Sequence, residues 1–274
     1  MNRRSIFKLR ANAIIGGILI ALILAMALMS LAWTPKDPMA IDLGHRLKSP
    51  STLSILGTDE FGRDVFSRVA AGAMTSLTVA FLTVLGATLA GTILGILAGY
   101  TRGTTDRVLM VFSDALLAFP GILLALGLMV VFGPNKYGII AALGIAYTPA
   151  VLRVVRSTVL SLREREYVEA SRVIGNSEWQ TMRVHVLPNC IAPIAVLASS
   201  MFGWVILSES SLSFLGLGVP PPAPTWGNML SSARPYLESA PWLGIAPGMC
   251  IAITLLSINL LGDAVRDHFD PRMS

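Results

Sequence analysis

The chain has 274 residues, of which 54% are hydrophobic and 14% charged, with a mean hydropathy of +0.68. Soluble domains carry roughly 25% charged residues, so the composition excludes an ordinary soluble protein and points to one embedded in a bilayer. The net charge of +5 does not indicate a nucleic-acid partner, because the basic residues fall between apolar runs instead of forming one patch; membrane orientation accounts for them.

The first apolar run, 13–33, follows Arg3 and Arg4, and Ala25-Met26-Ala27 has the small-residue spacing of a signal-peptide cleavage site. The run is nevertheless long enough to span, and cleavage after Ala27 would cut inside it. A retained span is expected. Further apolar runs lie at 73–100, 109–132, 138–157, 190–215 and 241–262. None alternates polar and apolar residues as a barrel strand would. The expected fold is an all-α membrane protein with six transmembrane helices, divided into 1–72 (first span and an extracytoplasmic loop) and 73–274 (the other five spans).

Local features refine this outline. Gly91, Gly95 and Gly99 form a small-residue ladder that lets a neighbouring helix approach closely; packing within the chain is expected, with a seam between subunits as the alternative. Pro120 and Pro149 should kink or loosen spans three and four. Pro220, Pro221, Pro222 and Pro224 make a short stiff outer segment. Cys190 and Cys250 fall at different depths and are expected to stay unpaired.

With the N-terminus inside, the inner segments hold 14 Lys and Arg and the outer ones 7, which places both termini in the cytoplasm. Trp33 and Trp242 then sit at the outer interface. The largest inner feature, 161–189, lies between spans four and five. Its first part has no Gly or Pro and predicts a helix over 161–174, ended by Gly175 in a left-handed conformation. Ser177 and Gln180 have capping-box spacing and predict a second helix, which Pro188 should end near Val186. Val168, Ala170, Val173 and Ile174 supply small apolar surface beside Arg163, Arg165, Glu166, Glu169 and Arg172. Such a helix either fills a groove in another protein or lies on lipid headgroups; periodicity alone does not separate the two.

Two carboxylates fall inside predicted spans. Asp114 is expected to make a structural hydrogen bond or internal ion pair. Glu209, between Ser208 and Ser210, is a candidate for the translocation path. No phosphate loop exists, since none of the four lysines follows a glycine, and neither HExxH nor Gly-x-Ser-x-Gly occurs. No catalytic residue, metal site or resident cofactor is expected.

The pattern Glu169-Ala170, Gly175, Leu187-Pro188 resembles the coupling loop of ABC importer permeases, with Ser171 in place of a second Ala and His185 in place of Ile. Three more segments, LGTDEFGRDVFSRV (56–69), LSFLGLGVPPPAPTWGNML (212–230) and NLLGDAVRDHFDPR (259–272), resemble the second-type permease of the dipeptide, oligopeptide and nickel importers. The resemblance implies that the loop is cytoplasmic and that Glu169, Ala170, Ser171 and Gly175 meet an ATPase subunit. It also implies an inner-membrane complex with a homologous second permease, two ATPase subunits that bind ATP and Mg, and an extracytoplasmic solute-binding protein. The implied cargo is peptide, with nickel or a nickel chelate as the alternative; an ion-coupled secondary transporter is the rival class. Within the motifs, Asp59 is expected as a helix cap, the Pro-rich run with Trp226 as a stiffener of the outer loop, and Asp263, Arg266 and Asp267 as local ion pairs.

Overall fold

The computed structural model describes residues 3–269 and is helical throughout its membrane-spanning part. Helix α1 covers Arg3–Ala32, α2 Val65–Thr101, α3 Gly103–Leu117, α4 Gly121–Phe132 and α5 Lys136–Arg163. Two short helices follow, α6 at Glu166–Val173 and α7 at Glu178–Thr181, then α8 at Leu187–Phe214, α9 at Trp226–Ala233 and α10 at Trp242–Phe269. Five continuous helices are long and apolar enough to cross a membrane, and α3 with α4 makes a sixth span if that bent pair is counted as one.

The bend is the main departure from a six-rod picture. Pro120 does more than kink the third span: the axes of α3 and α4 meet at 93°. Pro120 cannot donate a backbone N–H and disfavours helix at Phe119, so the helix stops after Leu117 and restarts at Gly121. Pro149, in contrast, lies within the unbroken α5. Helix α2 starts at Val65, eight residues before its apolar run, because Asp64 caps it by accepting from the Ser67 N–H. Asp59 is therefore not the cap, contrary to the expectation from sequence.

Helix α2 is the central column, packed along α5 and flanked by α1 and α8; α10 in turn packs against α1 and α8. The glycine ladder is what lets α2 and α5 touch. A Cβ on Gly91 would lie 2.5 Å from the Val151 Cβ, one on Gly95 2.8 Å from the Val155 Cβ, and one on Gly99 2.9 Å from the Val159 Cβ. Glycine inside a helix costs about 1 kcal/mol relative to alanine; here the close backbone approach offsets that cost. The ladder thus serves packing within the chain.

The loop between α1 and α2 is knotted around Asp59, which is 5% exposed. Its carboxylate accepts from the Phe61 and Arg63 backbone N–H groups at 2.9 Å and from the Arg63 Nε at 2.7 Å, and it pairs with the Arg68 Nε at 3.3 Å. Arg68 in turn donates to the Pro38 carbonyl at 3.1 Å. Burial raises the neighbouring Glu60 carboxyl above its usual range. The Pro-rich run leads into α9 through a capping box between Thr225 and Asn228. Trp226 at its start is fully buried and donates its indole N–H to the Val69 carbonyl at 3.1 Å. Cys190 and Cys250 are both free. Asp263, Arg266 and Asp267 form no ion pair among the described residues; the end of the third motif, 270–272, lies outside them.

Candidate functional site

The segment between α5 and α8 folds as a tight corner. Helix α5 runs on to Arg163, so 161–163 belong to the span and the first short helix begins only at Glu166. Glu166 and Glu169 in its first turn face the positive end of the helix dipole. It ends in a complete Schellman motif: Gly175 has φ +93°, its N–H donates to the Arg172 carbonyl at 3.0 Å, and the Asn176 N–H donates to the Ser171 carbonyl at 3.2 Å. The left-handed backbone explains why glycine stands there. Ser177 caps α7 by accepting from the Gln180 N–H at 3.2 Å.

The second limb differs from the expectation. It does not stop at Val186; α7 widens into a π turn over Met182–Val186 and passes directly into α8. The Leu187 N–H reaches the Met182 carbonyl five residues back, and this wider turn makes room for the ring of Pro188 near the start of α8. The corner is therefore continuous with a membrane span.

Three of the four residues expected at a docking surface, Glu169, Ala170 and Gly175, are exposed. Ser171 is not: it is 4% exposed. Its Oγ shares a hydrogen bond with the Thr181 Oγ1 at 3.0 Å and accepts from the Asn176 Nδ2 at 3.0 Å, so it fastens α6 to α7 from inside. Around Gly175 the corner displays apolar side chains instead, with Val173 82%, Ile174 80% and Trp179 67% exposed. Val168 is turned inward and fully buried.

Sequence reasoning missed the residue that ties this corner to the bundle. Tyr100, at the end of α2, donates its hydroxyl to the Glu178 carbonyl at 3.2 Å. The Arg163 and Arg172 guanidinium groups lie 5.3 and 5.8 Å from its ring centre. Arg163 also donates to the Tyr100 carbonyl at 2.5 Å. The available signal was weak: a tyrosine closing an apolar run where a C-terminal helix end attracts cations.

The Ser208–Glu209–Ser210 group does not open onto a common surface. Glu209 is 1% exposed and accepts from the Ser213 Oγ at 2.8 Å, with Ser76 of α2 and Thr225 beside the same carboxyl. Ser208 shares a hydrogen bond with the Tyr147 hydroxyl at 2.8 Å, joining α8 to α5. Ser210 borders a cleft of about 540 Å³ with Leu207, Phe214, Leu230 and Ile251. Asp114 accepts from the Arg153 Nη2 at 2.6 Å, the ion pair expected of it. A second pair runs beside it, Arg156 holding Asp106 through two hydrogen bonds of 2.5 and 2.7 Å. Among the described residues no three or more potential metal ligands cluster together.

The chain is similar to known proteins over most of its length. Residues 91–274 match the family model described as binding-protein-dependent transport system inner membrane component. The chain is 40% identical to a dipeptide transport system permease protein, DppC, of Alkalihalophilus pseudofirmus, covering 99% of this chain and 90% of that one. It is likewise 40% identical to a di/tripeptide transport system permease protein of Pseudomonas aeruginosa, covering 94% and 88%. Among solved structures, an inward-facing MetNI methionine ABC transporter chain superimposes with a TM-score of 0.59 at 18% identity, over 73% of this chain and 95% of that one; this likeness supports the helical fold. The chain belongs to the binding-protein-dependent transport system inner membrane component family and is an ABC transporter permease.

Proposed function

We propose that this chain is the second-type permease of a binding-protein-dependent importer of peptides, lining the path across the inner membrane and taking its energy from ATP hydrolysed elsewhere. The observation that carries the coupling part is the exposed corner. Val173 and Ile174 stand out beside Gly175 on a support fixed to α2, α5 and α8, and apolar side chains so displayed are suited to a groove in another protein. That partner is an ATPase subunit, of which two are needed, each binding ATP and Mg. A homologous second permease completes the path, and an extracytoplasmic solute-binding protein delivers cargo. Both termini lie in the cytoplasm, on the same side as the corner.

Closure of the ATPase pair on ATP moves the corners, and because α7 is continuous with α8 the movement reaches the spans without a flexible joint. The path then opens outward to receive peptide and closes again after hydrolysis. Peptide is preferred to nickel because two close relatives are named for dipeptide and di/tripeptide transport.

The test is uptake of a labelled dipeptide into cells producing the complete transporter, with ATP depleted and the ion gradients maintained. An ATP-driven importer stops; continued uptake identifies an ion-coupled transporter. Nickel uptake without dipeptide uptake, in ATP-replete cells, would reassign the cargo and leave the coupling part standing.

A further inference from the structure

A long apolar cleft runs along the corner end of the bundle. It holds about 670 Å³ between the C-terminal part of α2 and the limb that passes from α7 through the π turn into α8. On the α2 side Leu89, Ile93 and Leu97 stand exposed at four-residue spacing, so they share one face. On the other side Met182, Leu187 and Ile194 close it. From Thr88 to Thr101 the α2 wall extends roughly 20 Å, at about 1.5 Å per residue. The apolar run of α2 ends at Tyr100. The cleft therefore occupies the leaflet on the corner side of a hydrocarbon core about 30 Å thick.

The mouth of the cleft differs from its interior. Trp179 and Tyr100 line it there, residue types that settle at the headgroup level with the ring inward and the polar tip outward. Arg183 lines it too, is exposed, and pairs with no carboxylate among the described residues. Arg102 directly follows α2, and its contact with Glu164 is a loose 3.6 Å between exposed side chains. Glu178 is set against Arg172 at 3.8 Å, so the mouth keeps a positive surplus. An apolar trough one leaflet long, ending in an indole and an unpaired guanidinium, matches an anionic phospholipid in length, polarity and charge. A helix of the second permease fits less well. The glycines of α2 that admit a close helix lie on its far face, already against α5.

We propose that this cleft binds an anionic phospholipid, with an acyl chain along Leu89, Ile93 and Leu97 and the phosphate on Arg183. A guanidinium offers paired donors to phosphate oxygens, and Arg102 adds positive charge beside it. The lipid fills the space between the end of α2 and the limb that continues into α8, and so braces the corner from its membrane side. Trp179 belongs to this lipid-facing side, whereas Val173 and Ile174 at the tip do not line the cleft. The inference rests on the placement of α2 and α8 in the bilayer; it depends neither on the cargo nor on the ATPase contact.

The test uses the complete transporter in nanodiscs of phosphatidylcholine containing a minor share of phosphatidylglycerol with a photoreactive group on its acyl chain. Attachment within 89–97 and 182–194, read by peptide mass spectrometry, is expected, with unlabelled phosphatidylglycerol competing at lower concentration than phosphatidylcholine. Arg183→Gln should weaken that preference about five-fold, the worth of one arginine near an anionic headgroup. Ile93→Trp, which fills the trough, should lower attachment in these segments and leave attachment elsewhere on the transporter unchanged. Equal competition by the two lipids would reduce the cleft to ordinary bilayer contact and overturn the proposal. Attachment in the separated chain but not in the complete transporter would overturn it too, assigning the cleft to the second permease or an ATPase subunit. An unchanged preference in Arg183→Gln would contradict the phosphate contact.

Discussion

Arg163, the last residue of α5, donates to the main-chain carbonyl of Tyr100, the penultimate residue of α2, at 2.5 Å and lies 5.3 Å from its ring centre. One residue thus joins the ends of the two most closely packed spans directly beneath the exposed corner. Tyr100 completes the joint by reaching the Glu178 carbonyl on the far limb.

Tyr100→Phe removes only that hydroxyl contact. A neutral hydrogen bond contributes about 1 kcal/mol, roughly a five-fold change in local opening, while the ring keeps both guanidinium groups beside it. Hydrogen exchange of the α7 amides should therefore accelerate about five-fold with the spans unaffected. Unchanged exchange would show that the hydroxyl does not hold the corner.

Ser171 separates two readings of one position. Ser171→Ala loses the bonds to Thr181 and Asn176 and should cost about 1 kcal/mol or slightly more, because two buried partners lose an acceptor or donor. Ser171→Leu must also force bulk into a closed site. Limited proteolysis within 171–181 should rank leucine well above alanine, and alanine slightly above the unaltered chain. Equal resistance of all three would mean that α6 and α7 are fastened elsewhere.

Gly95→Leu should separate α2 from α5, since its Cβ alone would stand 2.8 Å from the Leu152 carbonyl oxygen. Overpacking of this kind costs about 1–3 kcal/mol. Gly86, which has nothing within 4 Å of an added Cβ, is the control. The Gly95 variant should melt at a lower temperature in detergent and Gly86→Leu should not; similar melting of both would remove the ladder's packing role.

Asp59→Ala leaves Arg63 and Arg68, both nearly buried, without their shared carboxylate. Removing one partner of a buried ion pair costs about 3–5 kcal/mol. The loop between α1 and α2 of this variant should become protease-sensitive while the bundle still inserts; normal resistance would show that the knot is held by its backbone bonds alone.

Much of this was legible in the amino-acid order. Hydropathy located the spans because a bilayer demands long apolar runs, and Gly175 announced a left-handed turn because few other residues tolerate one. The Asp114 partner was anticipated from the cost of an intramembrane charge. What stayed hidden depends on three-dimensional facing. Asp59 and Asp64 read alike as caps, and only the fold shows that Asp64 meets the helix N–H groups while Asp59 gathers arginines. Ser171 sits in a motif associated with docking yet points inward. Pro120 and Pro149 are the same residue in similar apolar settings, but only Pro120 breaks its helix. Pro188 did not end the second limb, because a π turn absorbed its ring.

The claim at the centre is that the Gly175 corner docks on an ATPase subunit. A side chain at φ +93° is strained whatever the space around it, so Gly175→Val should misplace Val173 and Ile174 without disturbing the spans. Glu169→Lys should reverse a charge on the exposed face of α6. The decisive measurement is co-purification of the ATPase subunits with each variant, read beside peptide uptake and matched for membrane insertion. The expected result is normal insertion with both ATPase retention and uptake strongly reduced. Full retention and normal uptake in both variants would show that the corner is a membrane-surface connector and would contradict the account.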